Sequence, residues 1–233
     1  MAKKNLSIIE FFDLESPEST EFRRVLHSLN GTRIKGERRA ILVTSAMLSE
    51  GKSIVSSFLA MTSARDKKRK TLLIDFDLRR PMVHKLFSVP LNKGIADIVV
   101  DGVPARNVIK KTSIETLDLV TAGRIISNPS DFLTGAAVHK IIEEMKFYYE
   151  LILVDCPPVL PVIDPMLLLD EMDGAILVVK AGSTQRDIVL RARDLLASQK
   201  NKIIGVIVNN INETLPYHYN YSYYGYHYRP AKK

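Results

Sequence analysis

The stretch Ala46-Met47-Leu48-Ser49-Glu50-Gly51-Lys52-Ser53 ends in a glycine, an ammonium and a hydroxyl in direct succession. A glycine lets the backbone come close to a ligand, a lysine supplies a point charge, and a serine hydroxyl can ligate a hard cation. Together they fit the last three positions of the phosphate-loop pattern, with Ala46 where that pattern usually has its first glycine. In such a loop, backbone N–H groups and the N-terminus of the following helix surround phosphate oxygens while the hydroxyl holds Mg2+. Carboxylates that could share the cation stand in two other places. Leu151-Ile152-Leu153-Val154 runs straight into Asp155, and Leu72-Leu73-Ile74 runs into Asp75-Phe76-Asp77, whose acids at i and i+2 can project the same way. A Gly-Lys-Ser tripeptide alone arises by chance in many loops, and an acid after an apolar run can be a plain surface turn. Three acids closing two apolar runs, beside such a tripeptide, point instead to a metal–nucleotide site.

Those residues need a frame that puts strand ends side by side. Arg39 to Ser45 reads as a buried strand, Gly51 to Arg65 carries apolar residues at helical spacing, and Thr71 to Asp75 is a second strand after the basic turn Lys67-Lys68-Arg69-Lys70. Val138 to Phe147 and Asp187 to Lys200 predict helices; Leu151 to Asp155, Ala175 to Val179 and Ile203 to Val208 predict further strands. Continuous Val/Ile/Leu runs alternating with helices imply a mostly parallel, doubly wound α/β sheet, and the phosphate-loop pattern between its first strand and helix makes the P-loop NTPase type the expected one. Between Pro81 and Pro129 turn signals dominate, so short helices and one extra strand at Leu117-Asp118-Leu119-Val120 are expected there. The chain divides on this reading into a helical arm at 1–37, capped by Ser16 with Pro17 first in the helix, a P-loop domain at 38–212 and a tail at 213–233.

Composition narrows the setting. With 233 residues, 46% of them hydrophobic, the chain can bury a large core without disulfides. Its single cysteine, Cys156, lies in an apolar run and reads as a core residue in a reducing compartment. No apolar run reaches the length of a membrane span or a signal-peptide core, so the expected location is cytoplasmic. The formal charge of +7 is spread along the chain rather than gathered in a patch, which argues against nucleic acid as partner. The five histidines have no zinc-like spacing with the cysteine or with one another.

Ala46–Ser53, Ile74-Asp75-Phe76-Asp77-Leu78-Arg79-Arg80-Pro81 and Val154-Asp155-Cys156-Pro157-Pro158 resemble, in order and separation, the Walker A, A′ and B motifs of bacterial tyrosine kinases. Gly94–Ile98, Ala122-Gly123, Asn128-Pro129, Asp164, Val178–Thr184 and Gly205–Asn209 are similar to secondary motifs of that family, so the likeness spans roughly residues 16 to 228. It implies an ATP:protein-tyrosine phosphotransferase using Mg·ATP, with Ala46, Met47, Leu48, Ser49, Glu50, Gly51, Lys52, Ser53, Ile54 and Asn209 at the nucleotide. It further implies Ser53, Asp77 and Asp155 at Mg2+, and Lys52, Asp75 and Asp77 in the transfer, with Asp75 first choice as proton acceptor. Leu48-Ser49 stands where the family usually has Pro-Gly, and Glu21, Arg24 and His27 stand where its ring-forming helix has Glu-x-x-Arg-x-x-Arg. Self-association is therefore expected, with the ring weakened at His27. The family also implies a role in polysaccharide synthesis or export and a separate membrane protein as activator, which would recruit the kinase to the inner membrane face.

Seven of the nine tyrosines, Tyr217, Tyr219, Tyr221, Tyr223, Tyr224, Tyr226 and Tyr228, crowd the end of the chain. Aromatics so dense, with no large aliphatic residue after Leu215, do not build a core. A stacking tail for single-stranded nucleic acid is one reading and an aggregation-prone segment another. The resemblance favours a third, in which these tyrosines accept phosphate in a neighbouring molecule's site. Two other functions share the sheet and carboxylates: a ParA/MinD-like ATPase and a nucleotide-binding scaffold for an export complex. The former carries a second lysine early in its loop, where this chain has Met47.

Overall fold

A computed structural model of the chain describes residues 7–30, 39–133, 135–197 and 202–211. The seven tail tyrosines lie outside those residues, as do residues 31–37 of the arm. After a short 3-10 turn at Ile8–Phe11 come α1 (Pro17–Asn30), β1 (Arg39–Ser45), α2 (Lys52–Asp66) and β2 (Thr71–Asp75). The irregular middle holds α3 (Val83–Leu86), α4 (Ile95–Asp101), β3 (Lys110–Lys111) and β4 (Leu117–Val120). The remainder is α5 (Gly135–Tyr148), β5 (Leu151–Asp155), α6 (Asp164–Leu169), β6 (Gly174–Lys180), α7 (Arg186–Ala197) and β7 (Ile203–Asn209).

Among the described residues the strands form one sheet in the order β3-β4-β2-β5-β1-β6-β7, parallel everywhere except the β3–β4 pair. Each central strand is buried on both faces, which is why its sequence is an unbroken aliphatic run rather than an alternation. One face packs against α5, α6 and α7 through residues such as Leu42, Ile74, Val154, Ile142, Leu168 and Leu196. The other packs against α2, with Leu59 and Met61 fully buried beside Ile41, Leu73 and Leu153. The sheet with helices on both faces is the doubly wound α/β fold the sequence predicts.

The predicted arm helix starts as expected: Ser16 Oγ accepts a hydrogen bond from Ser19 N–H at 3.1 Å, and Pro17 is the first helical residue. It lies along α2, with Leu26 and Leu29 buried, the Phe22 ring stacked on Phe58 at 5.3 Å and Arg23 paired with Asp66 at 3.1 Å. The two-residue β3 went unpredicted because two lysines carry no hydrophobic pattern; its register against β4 is antiparallel, Lys110 facing Leu119. No described helix is long and apolar enough to cross a membrane.

Candidate functional site

Register brings the acids together. Asp155 at the end of β5 is the in-register partner of Asp75 on one side and of Val43 in β1 on the other. Past its last residue, β1 leads into the loop Ala46–Gly51, so the loop emerges beside the end of β5 and one strand away from the end of β2. The chain after β5 stays with it: Cys156 N–H donates to Val43 O at 3.1 Å and Val159 N–H to Ser45 O at 2.8 Å. This crevice at the carboxyl edge of a parallel sheet is where such folds bind ligands.

Lys52, the first residue of α2, is the hub. Its Nζ donates to Asp77 Oδ2 at 2.8 Å and to Ser53 Oγ at 3.3 Å, and stands 3.6 Å from Asp155 Oδ1. Burial alone would lower its pKa, but the Asp155 and Asp77 carboxylates outweigh that and hold the ammonium above its ordinary value. Asp155 is fully buried, and neither of its oxygens has a hydrogen-bond partner among the described residues. Burial pushes its pKa up, opposed chiefly by Lys52. A buried carboxylate without hydrogen bonds is costly, and a cation would relieve it. Ser53, Asp77 and Asp155 therefore fit Mg2+. Among the described residues no three His, Cys, Asp or Glu side chains converge as a protein-only metal cage, so a cation here would complete its shell with phosphate and water, as Mg2+ usually does.

Asp75 and Asp77 do not act as a matched pair. Asp75 Oδ1 accepts from Asp77 N–H at 3.1 Å, and Oδ2 accepts from Met82 and Val83 N–H at 3.0 Å each. Its carboxyl thus ties the turn after β2 into shape. Burial, reinforced by Asp155, still drives its pKa well above the carboxylate range, against the Val83 N–H, which favours the charged form. Asp77 turns toward the loop, with Oδ1 taking Arg80 N–H at 2.9 Å and Oδ2 taking Lys52.

The loop itself is strained where its sequence departs from glycine. Ser49 adopts φ +63°, a left-handed conformation that disfavours any residue with a Cβ. Gly51 follows at φ +91°, and a Cβ there would meet Asn209 Nδ2 at 2.1 Å, so only glycine fits. Asn209, expected at the nucleotide, places its Nδ2 on Glu50 O at 3.0 Å and so braces the loop. Glu50, also expected there, is buried, its side chain turned into the protein. Met47, Leu48 and Ile54 are exposed.

Two contacts at the site went unforeseen, although the sequence reading named Asp164 and Thr184 within secondary motifs. Asp164, fully buried, receives Arg79 through Nε at 2.8 Å and Nη2 at 3.2 Å, while Ser130 bonds to both. This fixes the turn that bears Asp77; Arg79 at i+2 from Asp77 was the available signal. Thr184, before α7, bonds to the Glu50 carboxyl, and nothing in the sequence links positions so far apart. Cys156 is fully buried just past β5, with burial raising its thiol well above the ordinary pKa, which suits a core residue rather than a nucleophile.

Known proteins resemble this chain in sequence and in fold. A family model described as an AAA domain matches residues 41–186. CapB of Staphylococcus aureus is 31% identical over 230 residues, covering 97% of this chain and 99% of CapB. YwqD, a tyrosine-protein kinase of Bacillus subtilis, is 30% identical over 219 residues, covering 94% and 91%. The kinase domain of the Escherichia coli tyrosine kinase Etk superposes with a TM-score of 0.82 at 26% identity, over 94% of this chain and 87% of that domain.

Proposed function

This chain belongs to the family of bacterial tyrosine-protein kinases, and from that premise we propose that it transfers the γ-phosphoryl group of Mg·ATP to tyrosines of its own C-terminal cluster. The observation that carries the proposal is the convergence of Lys52, Ser53, Asp77 and the hydrogen-bond-free Asp155 where β1, β2 and β5 end. With nucleotide bound, Lys52 would exchange its contact with Asp77 for the phosphates, and Ser53, Asp77 and Asp155 would hold Mg2+. When bound, the cation neutralises charge on the phosphate oxygens. The loop amides other than that of Met47, which Glu50 takes, and the start of α2 would orient the phosphates.

In the transfer the phenolic oxygen of a tail tyrosine bonds to the γ-phosphorus as the bond to the β,γ-bridging oxygen breaks. The phenol, with a reference pKa of about 10, must lose its proton. Asp75 is the proposed acceptor: burial and Asp155 make it a stronger base than an ordinary carboxylate. Tyr217, Tyr219, Tyr221, Tyr223, Tyr224, Tyr226 and Tyr228 are the proposed phosphoacceptors, served mainly by neighbouring molecules. A protein built this way fits a cytoplasmic regulator of polysaccharide synthesis or export, brought to the membrane face by a separate activator protein. Self-association would run through the helix bearing Glu21, Arg24 and His27. There Arg24 and Glu21 pair with each other at 2.5 Å and remain exposed.

Incubation with γ-labelled ATP and Mg2+ tests the proposal. The expected product is phosphotyrosine, absent from Lys52→Met, which keeps its fold but loses nucleotide affinity because the phosphates lose their point charge. Conversion of ATP to ADP and phosphate without phosphotyrosine would assign the site to a partitioning-type ATPase instead. A folded Lys52→Met chain with unchanged affinity in a titration would remove Lys52 from the site.

A further inference from the structure

Glu50 poses a physical problem for any nucleotide site here. A carboxylate one residue before Gly51-Lys52-Ser53 would repel a triphosphate if it faced the loop's mouth, and a loop with Ala46, Leu48 and Ser49 lacks the glycines that usually shape it. Both difficulties meet one arrangement. The Glu50 side chain is buried; Oε2 accepts from Met47 N–H at 2.7 Å, and Oε1 accepts from the Thr184 hydroxyl. Thr184 is itself fixed, its Oγ1 accepting from Lys180 N–H at 3.2 Å and its own N–H donating to Lys180 O at 3.0 Å. The Glu50 carbonyl accepts from Asn209, whose backbone is held in the β6–β7 ladder.

We infer that Glu50 and Thr184 are positioning residues, a strut between the phosphate loop and the turn after β6 that holds the loop ready for a nucleoside di- or triphosphate. The strut acts through the loop, since the Glu50 carboxyl withdraws the Met47 N–H from solvent and directs the Ser49-Glu50-Gly51 backbone through its two left-handed residues. This inference rests on the nucleotide-binding part of the proposed function and not on tyrosine as acceptor. It goes beyond that reading by assigning work to Thr184, which lies outside the loop, and by separating Glu50 from the residues that touch phosphate.

The test is a double-mutant cycle on the full chain. Affinities for Mg·ADP are measured by calorimetry for wild type, Glu50→Ala, Thr184→Val and the pair. Each single variant is expected to weaken binding by about tenfold, and the pair by little more than Glu50→Ala alone, because the Glu50–Thr184 contact is lost in all three and Glu50→Ala already removes the Met47 contact as well. Glu50→Gln, which can accept from Met47 and donate to Thr184, should recover part of the loss. If both singles lower the unfolding midpoint yet leave Mg·ADP affinity unchanged, or if their effects on affinity add fully, the strut is only structural and the inference falls, while phosphotyrosine formation by wild type would keep the kinase reading. Should Glu50→Ala fail to fold, Thr184→Val decides: unchanged affinity overturns the inference and a tenfold loss upholds it. A wild-type chain that binds no nucleotide overturns both readings.

Discussion

Three aspartates at neighbouring strand ends look interchangeable in sequence and differ sharply in place. Asp155 is buried with bare oxygens, Asp75 is buried with three backbone N–H donors, and Asp77 is spent on Lys52 and the Arg80 N–H. Substitution should separate them. Asp155→Asn removes a buried charge that burial destabilises more than Lys52, 3.6 Å away, offsets, so it should stabilise the metal-free protein on the order of 1 kcal/mol, roughly 2–4 °C, while abolishing the stabilisation that Mg·ADP gives wild type. Asp75→Asn should do the reverse, costing about 1–3 kcal/mol because its amide N–H2 opposes the N–H groups of the turn, and it should also slow single-turnover transfer. Thermal unfolding with and without Mg·ADP reads the first pair of effects, and quenched-flow phosphotyrosine formation reads the last. A transfer rate for Asp75→Asn equal to wild type would remove Asp75 as proton acceptor. The sequence announced these acids because each closes an aliphatic run. It was silent on their hydrogen bonds, which depend on how residues 77 to 83 turn.

At the scale of elements, β1, β2, β5 and the loop-to-α2 junction were legible because double burial forces long aliphatic runs and Gly-Lys-Ser marks the helix start. The sequence was weakest where order comes from single polar contacts: the Arg79–Asp164 pair, the two-lysine strand β3, and the bond from Glu50 to Thr184. Ser49, singled out in sequence only as a departure, proves to occupy a left-handed position, which gives the usual glycine there a physical reason. Ser49→Gly should relieve that strain and raise stability by about 1 kcal/mol in chemical denaturation, with nucleotide affinity kept or improved. Gly51→Ala should act oppositely, because its Cβ would collide with Asn209 as well as strain the backbone. If both left the denaturation midpoint unmoved, the described loop conformation would be wrong.

For the molecule as a whole, the site is a store of electrostatic cost. Asp75 and Asp155 both have folded pKa values above their unfolded ones, so the folded state holds protons that the unfolded state releases. Their contribution to stability is fully present below the ordinary carboxylate pKa of about 4, and it is lost as pH rises through the raised folded values. Thermal unfolding across a pH series should therefore show the metal-free protein losing stability over that window, and Mg2+ with ADP should restore more of it the higher the pH. A flat metal-free profile would mean the two acids are not charged against burial. The fold and the grouping of the candidate residues were readable from the chain's strand runs and motifs; the coupling among its charges was not, since it arises only when β2 and β5 lie in register. How the tail is used is settled best by mixing two chains: an inactive Lys52→Met protein with its tyrosines, and an active protein truncated after Leu215. With Mg·ATP, mass spectrometry should find phosphate on Tyr217–Tyr228 of the inactive chain. ATP consumption that leaves those tyrosines unmodified would contradict the account.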